Sequence, residues 1–100
     1  MIIDVINDMP DRVTIKIKGV VKSIVDSQQI KDTVESVTHN VNNLTIEFID
    51  SFALTSTVIG YLIKKVQADN LNLNIIIHND QLFELFDMLS LTALFNVRKI

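Results

Sequence analysis

Cysteine and tryptophan are absent from this chain of 100 residues, proline occurs once and glycine twice. Without cysteine there is no disulfide, no thiol nucleophile and no thiolate metal site. Glycines at positions 19 and 60 alone cannot build G-x-G-x-x-G or a Walker A loop, which need clustered glycines to bring backbone N–H groups onto a phosphate. The histidines, His39 and His78, stand on different segments without ligand-spaced carboxylates, so no metal is implied. The G-x-S-x-G turn of many serine hydrolases is missing. Apolar runs are short against the ~20 residues of a membrane-spanning helix. The start, Met1-Ile2-Ile3-Asp4, has no basic stretch leading into an apolar one, as a signal peptide would. The net charge is −3, and the nine Lys and Arg are scattered, whereas non-specific nucleic-acid binding rests on clustered cations. These absences lead to the expectation of a cytoplasmic, non-enzymatic domain with no cofactor, no nucleic-acid partner and no direct membrane insertion. A catalytic reading would need His39 or His78 beside Asp50 or Glu47 in a deep cleft.

What is present is apolar material, 48% of the chain, enough for one core in a single domain over residues 1–100. Ile2–Ile6 is β-branched and is followed by the turn-forming Asn7-Asp8-Met9-Pro10-Asp11. Arg12–Lys18 alternates strictly, with Val13, Ile15 and Ile17 on one face, and completes an antiparallel hairpin that ends at Gly19. From a cap at Asp26 or Ser27, Ile30, Val34, Val37 and Val41 recur at helical spacing, and Asn40, Asn42 and Asn43 close the helix. Leu44–Phe48 alternates as a strand, and Ile49–Leu54 is an irregular, rather apolar connection.

Thr55-Ser56-Thr57 then offers caps for a helix whose apolar face is Val58, Ile59, Leu62, Ile63 and Val66. Gly60 in its middle costs about 1 kcal/mol relative to alanine, which points to close backbone packing there. Asp69-Asn70 ends that helix. Leu73–Ile77 reads as a strand buried on both faces. Asn79 or Asp80 caps a third helix with Leu82, Phe83, Leu85, Phe86 and Leu89. Leu91–Phe95 reads as one more turn, and Val97–Ile100 as an added edge strand. The order ββαβαβα with a short tail predicts an α/β fold, a mixed sheet of about four or five strands with helices mainly on one face.

The chemistry in this pattern lies in two places. Asp50 sits inside the apolar connection Phe48-Ile49-Asp50-Ser51-Phe52, as a turn carboxylate or as part of a site with Thr55. The hydroxyl cluster Thr55-Ser56-Thr57 opens a helix, where unpaired N–H groups and about half a positive charge accommodate a phosphate. Phosphorylation there would add ~1.5–2 negative charges and reset a protein contact.

The segment Ser51-Phe52-Ala53-Leu54-Thr55-Ser56-Thr57-Val58-Ile59-Gly60-Tyr61-Leu62 resembles the signature of the STAS family, the anti-sigma-factor antagonists. Val13–Gly19, Leu73–Ile77 and the leucine-rich stretch Leu82–Val97 resemble the flanking pieces of that family, in its order and spacing. The resemblance implies a STAS-like fold with Thr55 as the phosphoacceptor and Ser56 as its hydroxyl neighbour. A second register matches Phe48-Ile49-Asp50-Ser51 to the family's F-I-D-S and makes Ser51 the acceptor. Leu54 and Thr57 stand where the family has Asp and Gly, and Val20-Val21-Lys22-Ser23 lacks the acid common in that loop. The implied contact surface comprises Val21, Ser23, Asp50, Ser51, Phe52, Leu54, Ser56 and Thr57, with apolar exposure at Phe52, Ala53 and Leu54. The implied partner is an anti-sigma serine kinase of the GHKL type, sequestered until phosphorylation. The alternative is the ATPase of a lipid-transport complex, held without a phosphorylation switch. Homodimer formation stays open.

Overall fold

The computed structural model describes the backbone of all 100 residues and the side chains of all but Asn7 and Asp8. The chain runs β1 (Ile2–Met9), β2 (Arg12–Lys18), α1 (Ile24–Val37), β3 (Asn43–Phe48), α2 (Ser56–Gln67), β4 (Asn72–Ile77), α3 (Asp80–Met88) and β5 (Val97–Lys99). The five strands form one sheet in the order β1-β2-β3-β4-β5. The first pair is antiparallel and the other three are parallel. Each parallel step moves one place in the same direction. Right-handed crossovers therefore stack all three helices on one face.

The burial pattern follows that geometry. Val13, Ile15 and Ile17 of β2, Leu44, Ile46 and Phe48 of β3, and Leu73, Ile75 and Ile77 of β4 are buried. They share the helix face with Ile30 and Val34 of α1, Val58 and Leu62 of α2, and Leu82 and Phe86 of α3. Phe86 meets Phe95 edge-on, with ring centroids 5.7 Å apart. The opposite sheet face has no helix over it, so Asn74 and Ile76 are half-buried. The doubly buried strand expected at Leu73–Ile77 is thus one-sided, because every crossover has the same hand.

Three further expectations are corrected. The turn at Asn7–Asp11 is tighter, since β1 continues to Met9 through a register shift after Ile6 and reverses at Pro10-Asp11. Helix α1 begins earlier than Asp26 or Ser27: Ser23 is its cap, and the Ser23 Oγ accepts the Asp26 N–H at 3.0 Å. The helix ends at Val37, so Val41 packs on the core from the following loop. Gly60 is not held by close packing, because a Cβ built there meets nothing within 4 Å. Gly60→Ala is expected to raise stability by about 1 kcal/mol, through the smaller backbone entropy lost on folding, as read from urea unfolding.

Helices α1 and α2 are also joined by polar groups. The Tyr61 hydroxyl donates to Glu35, and the Lys65 Nζ lies 3.0 Å from Glu35 and 3.2 Å from Asp69. Burial, then the Glu35 carboxylate, pushes Tyr61 well above its usual range. The Tyr61 bond, then Lys65, holds Glu35 below its ordinary 4.5. A depressed carboxylate contributes stability that is present above about pH 4.5 and lost as pH falls through the lowered value. In acid melting curves, Glu35→Gln is therefore expected to lose less thermal stability than the wild type over that range. The difference is small, because the Glu35 side chain is 58% exposed and the pair is solvent-screened.

Candidate functional site

The site is built from the two loops that follow β2 and β3, beyond the carboxyl ends of parallel strands, where open α/β sheets place their ligands. Gly19 ends β2 with φ +96°, and a Cβ there would lie 3.0 Å from the Met1 Cα. Its N–H donates to the Asp50 Oδ1 at 2.5 Å. Its carbonyl accepts the Ser51 hydroxyl at 2.5 Å. Consecutive residues of the second loop thus tie down both polar groups of one glycine in the first. Asp50 is a loop carboxylate, and Ser51, 0% exposed, is a buried latch. Ser51, the acceptor in the second register, is buried and has its hydroxyl engaged by the Gly19 carbonyl.

Above this tie two helices begin side by side. Thr55 is the cap of α2, and its Oγ1 accepts the Val58 N–H at 3.2 Å. The same oxygen lies 2.8 Å from the Ser27 Oγ, and the Ser27 hydroxyl donates to the Ser23 carbonyl at 3.0 Å. The hydrogen inventory sets the direction of this chain. An amide can only donate and a carbonyl only accept, so the Thr55 hydroxyl gives its own proton to Ser27. Thr55 therefore caps its own helix and bonds to the first turn of the neighbouring one. Its side of the site carries two helix N-termini, each with the partial positive charge of unpaired N–H groups.

The proposed contact residues divide sharply. Ser23, Ser56 and Thr57 are exposed, and Thr55 is half-buried. Phe52 stands 48% exposed at the rim. It borders, with Ala53, Gln81, Glu84, Leu85 and Met88, a shallow groove of ≈ 360 Å³. Val21 and Leu54, by contrast, are core residues. The expectation that they face a partner is corrected: they turn inward and anchor the two loops to the sheet. The apolar exposure is supplied by Phe52 together with Ile24 and Val25 in the first turn of α1, 88% and 75% exposed. Sequence reasoning missed these two, and it missed Ser27 as the bonding partner of Thr55. The available signal was the Ser23/Ser27 spacing of one helical turn, which places both hydroxyls at one helix end.

His78 does pair with a carboxylate, with its Nε2 2.6 Å from the Glu47 Oε2. Lys16 stands 3.9 Å from the same carboxyl group. The trio lies on the uncovered sheet face, opposite the helices, since Lys16, Glu47 and His78 alternate with the buried Ile17, Phe48 and Ile77. Among the described residues no group of three or more metal-ligating side chains converges. No helix of the described residues is long and apolar enough to cross a membrane.

Compared with known proteins, the chain matches no protein-family model and no curated protein sequence.

Proposed function

We propose that this chain is a non-enzymatic, cytoplasmic protein-binding module of the STAS type, docking its partner around the N-terminus of α2 at Thr55. The observation that carries this reading is the hydroxyl chain from Val58 through Thr55 and Ser27 to Ser23. It brings two helix N-termini to one surface, flanked by the exposed apolar Phe52, Ile24 and Val25. Such a surface offers unpaired donors, partial positive charge and apolar area together, which suits a protein contact better than a small-molecule pocket. The sequence resemblance supplies the partner class: an anti-sigma serine kinase of the GHKL type.

Transfer of the γ-phosphoryl group of ATP to the Thr55 Oγ1, with release of ADP and of the hydroxyl proton, would replace the O–H that Thr55 gives to Ser27 and place about two negative charges at the junction of α1 and α2. That change is local, breaks one specific bond and re-poses both helix starts, as a release signal needs.

One observation favours a second reading, an accessory subunit of a transport ATPase. The Thr55 hydroxyl already donates to Ser27 and accepts from Val58. A hydroxyl so engaged and half-buried serves a constant contact as well as it serves a switch. Mixing the purified chain, with and without magnesium-ATP, with each GHKL-type kinase and each transporter ATPase encoded in its genome separates the readings. Stable binding with a mass increase at Thr55 supports the switch, and binding to an ATPase without it supports the subunit. Binding to neither class contradicts both.

A further inference from the structure

The buried polar residues among those described are Ser27 and Ser51. Ser51 has a structural task, the tie to the Gly19 carbonyl. The task of Ser27 is different. It shares the buried stripe of α1 with Ile30 and Val34, at a place where alanine is the better helix former. Its hydroxyl donates to the Ser23 carbonyl, but that carbonyl already accepts the Ser27 N–H at 3.0 Å. Helix α1 would therefore keep its backbone bonds without the hydroxyl. What the Ser27 Oγ adds is an acceptor for the proton of Thr55, 2.8 Å away.

That bond bears on whether Thr55 can react. A hydroxyl becomes an effective nucleophile when a base takes its proton, and the base must come within hydrogen-bond reach of that proton. The Thr55 Oγ1 meets the Ser27 hydroxyl and the Val58 N–H, and neither is a base. A base must then come from a partner. The proton it needs points between α1 and α2, at a residue only 3% exposed. The bond to Ser27 has to open before that proton can be reached.

We infer that Ser27 is a positioning residue that restrains Thr55, holding its hydroxyl in an unreactive pose so that phosphorylation proceeds only from the conformation in which the Ser27–Thr55 bond is open. This rests on the reading of Thr55 as a phosphoacceptor and adds the control of its reactivity. In the open conformation the Thr55 Oγ1 attacks the γ-phosphorus of ATP held by the kinase. A new O–P bond forms, the bond from that phosphorus to the β–γ bridging oxygen breaks, ADP leaves, and the hydroxyl proton passes to a base of the kinase. The restraint acts on the rate of this step. Docking is left alone, because Ser27 offers almost no exposed surface to a partner.

Removing the Ser27 hydroxyl is the test. With the kinase identified by mixing and magnesium-ATP, Ser27→Ala is expected to raise kcat for phosphorylation of Thr55 by about three- to tenfold, the contribution of one neutral hydrogen bond. KM for the chain is expected to stay unchanged, and Ser27→Thr, which restores a hydroxyl, to bring kcat back toward the wild type. Circular dichroism checks that each variant is folded. A second measurement needs no kinase. Proton NMR of the wild type in cold water is expected to show a Thr55 hydroxyl proton protected from exchange, with a nuclear Overhauser contact to Ser27, and Ser27→Ala is expected to lose that protection. A wild-type Thr55 hydroxyl that exchanges as fast as that of free threonine, or a Ser27→Ala chain phosphorylated no faster than the wild type, overturns the inference and leaves docking at Thr55 standing. Absence of phosphate from both chains overturns the phosphoacceptor reading, and the inference with it.

Discussion

Thr55→Glu is expected to abolish partner binding, with a loss of affinity of at least tenfold, while Thr55→Ser leaves binding within a few-fold of the wild type. The reasoning starts from the oxygen. Serine keeps an acceptor for the Val58 N–H and a proton for the Ser27 Oγ, the two bonds that Thr55 makes. Glutamate has no proton to give at neutral pH. Its longer side chain also puts a charge at a junction where the neighbouring groups are hydroxyls and amide donors. Thr55→Val separates charge from hydrogen bonding. It keeps the shape but leaves the Val58 N–H uncapped, at a cost of about 1–2 kcal/mol in stability. If the contact depends on the hydroxyl chain, Thr55→Val weakens binding less than Thr55→Glu does. Titration calorimetry of the three variants against the kinase or ATPase identified by mixing reads the order directly.

Gly19→Ala is expected to produce the largest loss of stability of any single change in the site loops, about 2–3 kcal/mol from a non-glycine residue held at positive φ. Gly19 has φ +96°, and the added Cβ would meet a backbone atom, the Met1 Cα, at 3.0 Å. The contact can be eased by a shift of Met1, but the positive-φ strain is relieved only by moving Gly19, which is where Asp50 and Ser51 both attach. A shift there loosens the second loop, frees the buried Ser51 hydroxyl and displaces the start of α2. Urea unfolding measures the loss. The opposite sign expected for Gly60→Ala, at a position with open space around it, serves as the control. The two glycines of the chain thus have different physical meanings.

Much of the architecture was legible because it rests on periodicity. The alternation in Arg12–Lys18 and Leu44–Phe48 and the spacing of Val58 and Leu62 are direct prints of one-sided burial. The start of α1 was not legible, because Ile24 and Val25 are apolar yet exposed and do not belong to the buried stripe that marks the rest of the helix. The length of β1 was hidden by Asn7-Asp8-Met9-Pro10, a turn-forming composition that the structure absorbs with a register shift. At the site, local chemistry offered Thr55, Ser56 and Thr57 as caps, and Thr55 is the one the helix uses. The orientation of Val21 and Leu54 depended on where the loops cross the end of the sheet, which no local pattern encodes. The bond between Ser27 and Thr55 spans 28 positions of sequence. Such a contact follows from two parallel crossovers setting their helices side by side, so it emerges only after the topology is known.

The claim at the centre of this account is that the partner binds where the two helix starts meet. The most direct measurement is amide chemical-shift mapping of the isotope-labelled chain as the partner identified by mixing is added. Shifts or broadening are expected at Ser23, Val25, Phe52, Ser56 and Thr57, with Asn43, Thr45 and Asn74 on the uncovered sheet face unchanged. Perturbations gathered on Asn43, Thr45 and Asn74, with the amides around Thr55 unmoved, would contradict it.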